Sequence, residues 1–223
     1  MKRLFITFTA IASLMLPTLC EATPPQQGLY MSGFFGISIP NNTDVSSYDY
    51  WTGSSFADRV EFAPDINIGG TVGYDYGEVR LEGELSYKHG EIATITDQIG
   101  GGQYHNASGN LGTLAMMFNT FFDLHNSSPV TPYVGGGVGF AAMHLSDTYV
   151  AEYGAPIYEE GDASAFAYQI GTGIEIALRK RLSLDLGYRY FATTKAKFDP
   201  NPDISSELKS QSHNIAIGIR ALF

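Results

Sequence analysis

Charged side chains recur at every second position in several otherwise apolar stretches of this chain. Arg80, Glu82, Glu84 and Lys88 lie opposite Val79, Leu81, Leu85 and Tyr87; Glu175 alternates with Ile174 and Ile176; Asp185 and Arg189 alternate with Leu184, Leu186, Tyr188 and Tyr190; Arg220 follows Ile219. Successive residues of an extended strand face opposite sides, so within each strand these charges share a face. A helix would scatter them around its circumference. Enclosed together, the four acids and four bases could form a paired plug that fixes strand register, or they could line a conducting path or proton relay. An unpaired charge in a narrow interior is costly, so balanced pairing is the expected arrangement and the plug the favoured reading.

Other chemistry finds little support. The five His residues, at 89, 105, 125, 144 and 213, lie in different segments with no metal-ligand spacing. His213 is expected to face lipid near the outer rim, where a deacylase would place a base, but no serine partner is identifiable. Gly135-Gly-Gly-Val-Gly139 looks like a phosphate-cradling loop, yet it lacks the Lys-Ser/Thr that would reach a nucleotide and lies inside a strand. No catalytic residue, cofactor-binding residue, cofactor or metal ligand is assigned, and the chain is expected not to be an enzyme.

The elements that must position the charges are strands. Alternation divides the chain into eight, at about 28 to 39, 65 to 76, 78 to 89, 109 to 124, 130 to 145, 163 to 178, 181 to 194 and 213 to 223. In the last, Ile215, Ile217, Ile219, Ala221 and Phe223 point one way, and Asn214, Ala216, Gly218, Arg220 and Leu222 the other. Roughly 25, 2, 19, 5, 17, 3 and 17 residues connect the strands in order, the long-short rhythm of outer loops and periplasmic turns. The expected fold is all-β, an eight-stranded antiparallel up-and-down transmembrane barrel, with an interior just wide enough for side chains to fill. Inward glycines (69, 73, 135, 137, 171 and 173) allow the close approach and curvature that a narrow barrel needs. Two aromatic girdles are expected: Tyr74, Tyr76, Phe122, Tyr133 and Phe223 near the short turns, and Tyr87, Phe166, Tyr168, Tyr188 and Tyr190 at the opposite ends.

Lys2 and Arg3 before the apolar run from Leu4 to Leu16, then Pro17 and small residues, have the layout of a secretory signal peptide. Two domains of the chain follow: residues 1–22 as signal peptide, cleaved after Ala22, and 23–223 as the barrel. The rival is a lipoprotein acylated at Cys20, against which stands the bulky Leu19. Either way the single cysteine leaves no disulfide, so stability comes from burial, hydrogen bonding or a membrane. Loss of Lys2, Arg3 and Glu21 moves the formal net charge from −10 to −11.

The outer loops are acidic. Residues 40 to 64 carry Asp44, Asp49, Asp58 and Glu61 against Arg59, and residues 146 to 162 carry Asp147, Glu152, Glu159, Glu160 and Asp162 with no Lys or Arg. Phosphate recognition needs cationic surface, so no nucleic acid is expected as a partner. Solvation, divalent-cation bridging to anionic lipid, or a basic patch on a host partner would each suit such loops. Tyr48, Tyr50, Trp51 and Phe56 in the first loop either form a contact surface or pack back onto the rim.

Gly73-Tyr-Asp-Tyr-Gly-Glu-Val-Arg-Leu-Glu-Gly-Glu-Leu-Ser-Tyr87, Met117-Phe-Asn-Thr-Phe-Phe-Asp123, Thr131-Pro-Tyr-Val-Gly-Gly-Gly-Val-Gly139 and Leu184-Asp-Leu-Gly-Tyr-Arg-Tyr190 resemble the small outer-membrane β-barrel superfamily, which includes opacity-like porins and rickettsial major surface antigens. The resemblance spans nearly all of 28 to 223 and is specific for the barrel rather than for function. It implies location in the cell outer membrane of a Gram-negative bacterium, contact with outer-membrane lipids, surface exposure and, for some members, adhesion to a host-cell receptor. It also implies that Gly218, Ala221 and Phe223 form the C-terminal signal read by the outer-membrane assembly machinery, although Ala221 is smaller than usual. Three functional readings follow, in order: a surface antigen or adhesin presenting four outer loops; a structural or weakly permeable porin-like barrel stabilising the outer membrane; and an outer-membrane lipid hydrolase.

Overall fold

The computed structural model describes residues 27–105, 107–150, 157–201 and 204–223; the signal-peptide expectation for 1–22 lies outside them. The described strands, in chain order, are β1 (Gly28–Pro40), β2 (Thr43–Asp49), β3 (Ser54–Phe62), β4 (Asp65–Asp75), β5 (Val79–Asp97), β6 (Gln103–His105), β7 (Asn110–Asp123), β8 (Val130–Leu145), β9 (Gly161–Arg179), β10 (Leu182–Thr193), β11 (Ala196–Asn201), β12 (Ile204–Leu208) and β13 (Gln211–Leu222).

Eight of them close a ring. Antiparallel pairing runs β1-β4-β5-β7-β8-β9-β10-β13, and β13 returns to β1 from Tyr30↔Leu222 to Pro40↔Ser212. Alternation decides which side chains face inward. Along β5, Arg80, Glu82, Glu84, Ser86 and Lys88 are buried while Leu85 and Tyr87 are exposed. The outward face is largely apolar, with Phe35, Met116, Phe140 and Ile170 each more than 60% exposed. That much apolar surface in water would be prohibitive, and against hydrocarbon it costs nothing. Tight turns join the strands at the other end from the long connections: Tyr76 N–H bonds the Val79 carbonyl at 2.9 Å across Gly77, whose φ of 100° is a region that suits glycine.

Large rings fill the interior where glycines leave space. A Cβ on Gly173 would lie 2.3 Å from Tyr133 Oη and 2.5 Å from the Leu186 carbonyl oxygen, and one on Gly73 would lie 2.7 Å from Tyr30 Oη. Tyr133 corrects the girdle expectation. It has the same parity as Gly135 and Gly137, so it points inward and is buried, whereas Tyr74, Tyr76, Phe122 and Phe223 are exposed on the outer face.

The long connections differ from the expectation of plain loops. β5 continues to Asp97 rather than ending near 89, and its outer half pairs with β3 and β6. A second sheet therefore rises above the ring in the order β11-β12-β2-β3-β5-β6. Its inner face buries Val45, Val60, Ile95, Phe198 and Leu208 together with Val150 and Tyr158 of the 146–160 connection, and this core continues into Leu111, Met143 and Leu145 at the barrel mouth. The outer connections thus fold as one capped head.

Gly173→Val should overpack the Tyr133 site and cost about 1–3 kcal/mol. Thermal unfolding in detergent micelles, followed by the β-sheet circular dichroism band, should show a lowered midpoint. An unchanged midpoint would contradict the ring-into-glycine packing.

Candidate functional site

Two regions carry the functional side chains: the barrel interior and the head. Inside, Arg189 from β10 reaches two acids of β5, with Nη1 2.6 Å from Glu84 Oε2 and Nη2 3.6 Å from Glu82 Oε1. Glu84 also accepts from Asn119 Nδ2 and Gln169 Nε2, each at 2.8 Å, and Tyr30 Oη donates to Glu82 at 2.7 Å. Nearer the short turns, Arg220 of β13 pairs with Glu175 of β9 and, at 3.2 Å, with Asp185 of β10. Tyr133 Oη donates to Asp185 at 2.8 Å.

The other two expected members are placed differently. Arg80 does not join the four expected acids. Its Nε lies 2.6 Å from Asp123 Oδ2, a close charge contact in which the N–H does not point along the line to the oxygen, and its guanidinium sits 4.8 Å from the Tyr133 ring centroid. Asp123 shares the inward parity of Asn119 and Phe121 and is a further interior acid beyond the expected four. Lys88 has no carboxylate within ion-pair distance among the described residues. It donates to Ser86 Oγ at 3.2 Å and its ammonium lies 4.0 Å from the Phe191 ring centroid. One cavity, beside Glu82, Arg189 and Arg220, and another, beside Lys88 near the outer mouth, are each about 20 Å³, enough for about one water.

In the head, the β2–β3 hairpin is held at its tip by Asp49, whose Oδ1 accepts from Trp51 N–H at 2.8 Å and Thr52 N–H at 3.1 Å. Gly53, at φ 69°, completes the turn. Trp51 is 86% exposed, and Tyr48, Tyr50 and Phe56 are also exposed; Tyr48 and Tyr50 pack edge to face at 4.9 Å. At the hairpin base, Arg59 Nε bonds Asp44 Oδ1 at 2.9 Å and holds that carboxyl below its usual range. Within the head, burial pushes the Asp58 carboxyl up and Asp97 across the strand pair adds to the rise, while the bond from Tyr158 Oη at 2.6 Å opposes it. That bond ties the 146–160 connection to β3. Glu152 of the acidic set lies outside the described residues.

His213 faces outward near the outer rim, with Nδ1 2.7 Å from Tyr188 Oη and its ring 5.3 Å from that of Tyr190. At the opposite end of β13, Phe223 N–H bonds the Leu29 carbonyl at 2.8 Å and its ring is exposed; Ala221 shares its face and Gly218 lies inward, close under Phe34.

The closed ring with its apolar exterior agrees with what the chain resembles. Residues 6–220 match the model of the outer membrane protein β-barrel domain. The chain belongs to that family. It is 27% identical over 243 residues to outer membrane protein PagN of Salmonella typhimurium, covering 97% of this chain and 99% of that one. By structure it resembles the outer membrane protein OprG of Pseudomonas aeruginosa (TM-score 0.55, 12% identity, 88% of this chain and 97% of that one). It also resembles the outer membrane protein AlkL, solved in lipid bilayers (TM-score 0.50, 16% identity, 93% and 96%). This outer-membrane barrel is therefore all-β, antiparallel and eight-stranded, and its location is the outer membrane.

Two outcomes follow from the packed interior. Arg189→Met strands Glu82 and Glu84 and should cost about 3–5 kcal/mol, with Glu84→Gln in the same chain recovering part of the loss; equal stability of the single variant and wild type in urea unfolding would refute the pairing. Reconstituted in planar bilayers, the barrel should show little steady conductance, and stable large single-channel steps would show that the interior opens.

Proposed function

We propose that this outer-membrane barrel is a surface-exposed binding protein of the antigen or adhesin class, and that the β2–β3 hairpin tip is its contact surface for a host-cell receptor. The observation that carries the reading is Trp51. A large ring left in water forgoes the stabilisation that burial would bring, and here a hydrogen-bonded turn presents it instead of letting it fold back. Rigid aromatics clustered at a tip have the composition of binding hot spots and have little ordering entropy left to lose. Asp49 at the tip and Asp44 and Glu61 nearer the base outnumber Arg59 along the hairpin, which favours a basic complementary surface.

The structural reading, a barrel that stabilises the membrane, draws support from the filled interior, which equally serves as a rigid base for the head. Permeability and detergent sensitivity of a deletion strain separate the two. The hydrolase reading loses support because the Nδ1 of His213 faces the Tyr188 hydroxyl.

Bacteria displaying Tyr50→Ala/Trp51→Ala should bind host cells at least about tenfold more weakly than those displaying wild type, a loss of about 1.4 kcal/mol or more. Surface protease shaving of the same cells should still release peptides from 40–64, showing that the head is displayed. Unchanged binding by the displayed variant would sink the proposal.

A further inference from the structure

A concavity of about 750 Å³ lies outside both regions, on the outward-facing wall just above the outer girdle. Its floor forms where three neighbouring strands place short outward side chains. The register aligns Gly112 with His144 and Asp162 in one row, and Leu114 with Ala142 and Ser164 in the next. The row below is bulky, with Phe140 and Phe166 edge to face at 5.9 Å. The wall thus steps inward immediately above the girdle rings, at the level of lipid headgroups. His144 bonds Asp162 at 2.8 Å on the upper side, and Lys195 and Lys197, on alternate positions of one chain segment, line the flank.

We propose that this trough binds the phosphorylated sugar headgroup of an outer-leaflet glycolipid. The chain carries a formal net charge of −10 with only 13 Lys and Arg, yet two of them meet here. Each already has a partner, Lys195 with Glu207 at 3.1 Å and Lys197 with Asp199 at 3.2 Å, but both pairs are well exposed. Exposed pairs of this kind are weak and exchange readily for a doubly charged phosphate. A simple anion would be repelled by Asp162 and Glu160. A sugar would not, because its hydroxyls donate to carboxylates, and Ser164 and Asn110 offer further partners. Leu114, Ala142 and the Tyr87 ring provide the apolar surface against which the first acyl carbons lie. Cations for phosphate, acids for hydroxyls and an apolar floor open to hydrocarbon occur together only for an amphiphile of this class.

The test uses the chain from residue 23 refolded in detergent micelles, loaded in turn with diphosphoryl lipid A, the same lipid without phosphates, and phosphatidylglycerol, with retained lipid counted by native mass spectrometry. Diphosphoryl lipid A should be retained about tenfold over either alternative, falling to their level in Lys195→Gln/Lys197→Gln. Ala142→Trp, which fills the floor and keeps both lysines, should lose it as well. The lysine variant alters only exposed side chains, so its barrel circular dichroism should match wild type. Equal retention by wild type and the lysine variant, equal retention of phosphatidylglycerol, or displacement by millimolar inorganic phosphate would overturn the proposal.

Discussion

Hydrocarbon offers no partner to a backbone N–H or carbonyl, so a sheet survives in a bilayer only if its first and last strands pair with each other. Everything else in this molecule follows from the β1–β13 seam. Pairing across eleven positions from Tyr30↔Leu222 to Pro40↔Ser212 removes both edges of the sheet. Closure at eight strands makes the enclosed space narrow, and period-2 alternation then sends half of every strand's side chains into it.

Charge in a narrow interior is costly unless it is paired, and among the four interior cations only Lys88, set over the Phe191 ring, has no carboxylate within ion-pair distance among the described residues. Arg189 bridges the two β5 acids, Arg220 bridges β9 and β10, and Arg80 lies against Asp123, so each arginine ties together strands distant in sequence. The glycines opposite Tyr30 and Tyr133 belong to the same solution, because rings that donate to Glu82 and Asp185 need backbone brought close behind them. The apolar core of the head then stops the outer mouth. Packing of this kind makes a rigid platform for the head.

The membrane strands were legible because lipid imposes a one-sided demand on every second residue. At 79–88 charged or polar residues alternate with apolar ones, Gly83 aside, and the structure extends that strand without shifting it. Tyr133 lies near a turn, where an interfacial ring is expected, but its parity with Gly135 and Gly137 turns it inward. Asp123, a lone acid at a strand end, carries no pattern of its own. The head strands were the least legible. Thr43–Asp49 and Ser54–Phe62 each bury only one residue fully, a valine, and show no clean apolar alternation. What orders them is pairing with distant strands, β2 with β12, as in the Ser47–Ser206 hydroxyl contact across 159 residues, and β3 with the outer half of β5, and local periodicity holds no trace of such partners. The trough was invisible for a related reason: Gly112, Ala142 and Ser164 mean nothing until register sets them side by side.

The outer connections pair as one folded sheet, and the proposed contact surface depends on that head being rigid. Hydrogen–deuterium exchange of the protein in lipid nanodiscs tests this most directly. Amides of 44–48, 57–61, 92–97 and 205–208 should be protected well above free-loop rates, though less than those of the barrel. Exchange of these segments at the rate of an unstructured chain would contradict the account.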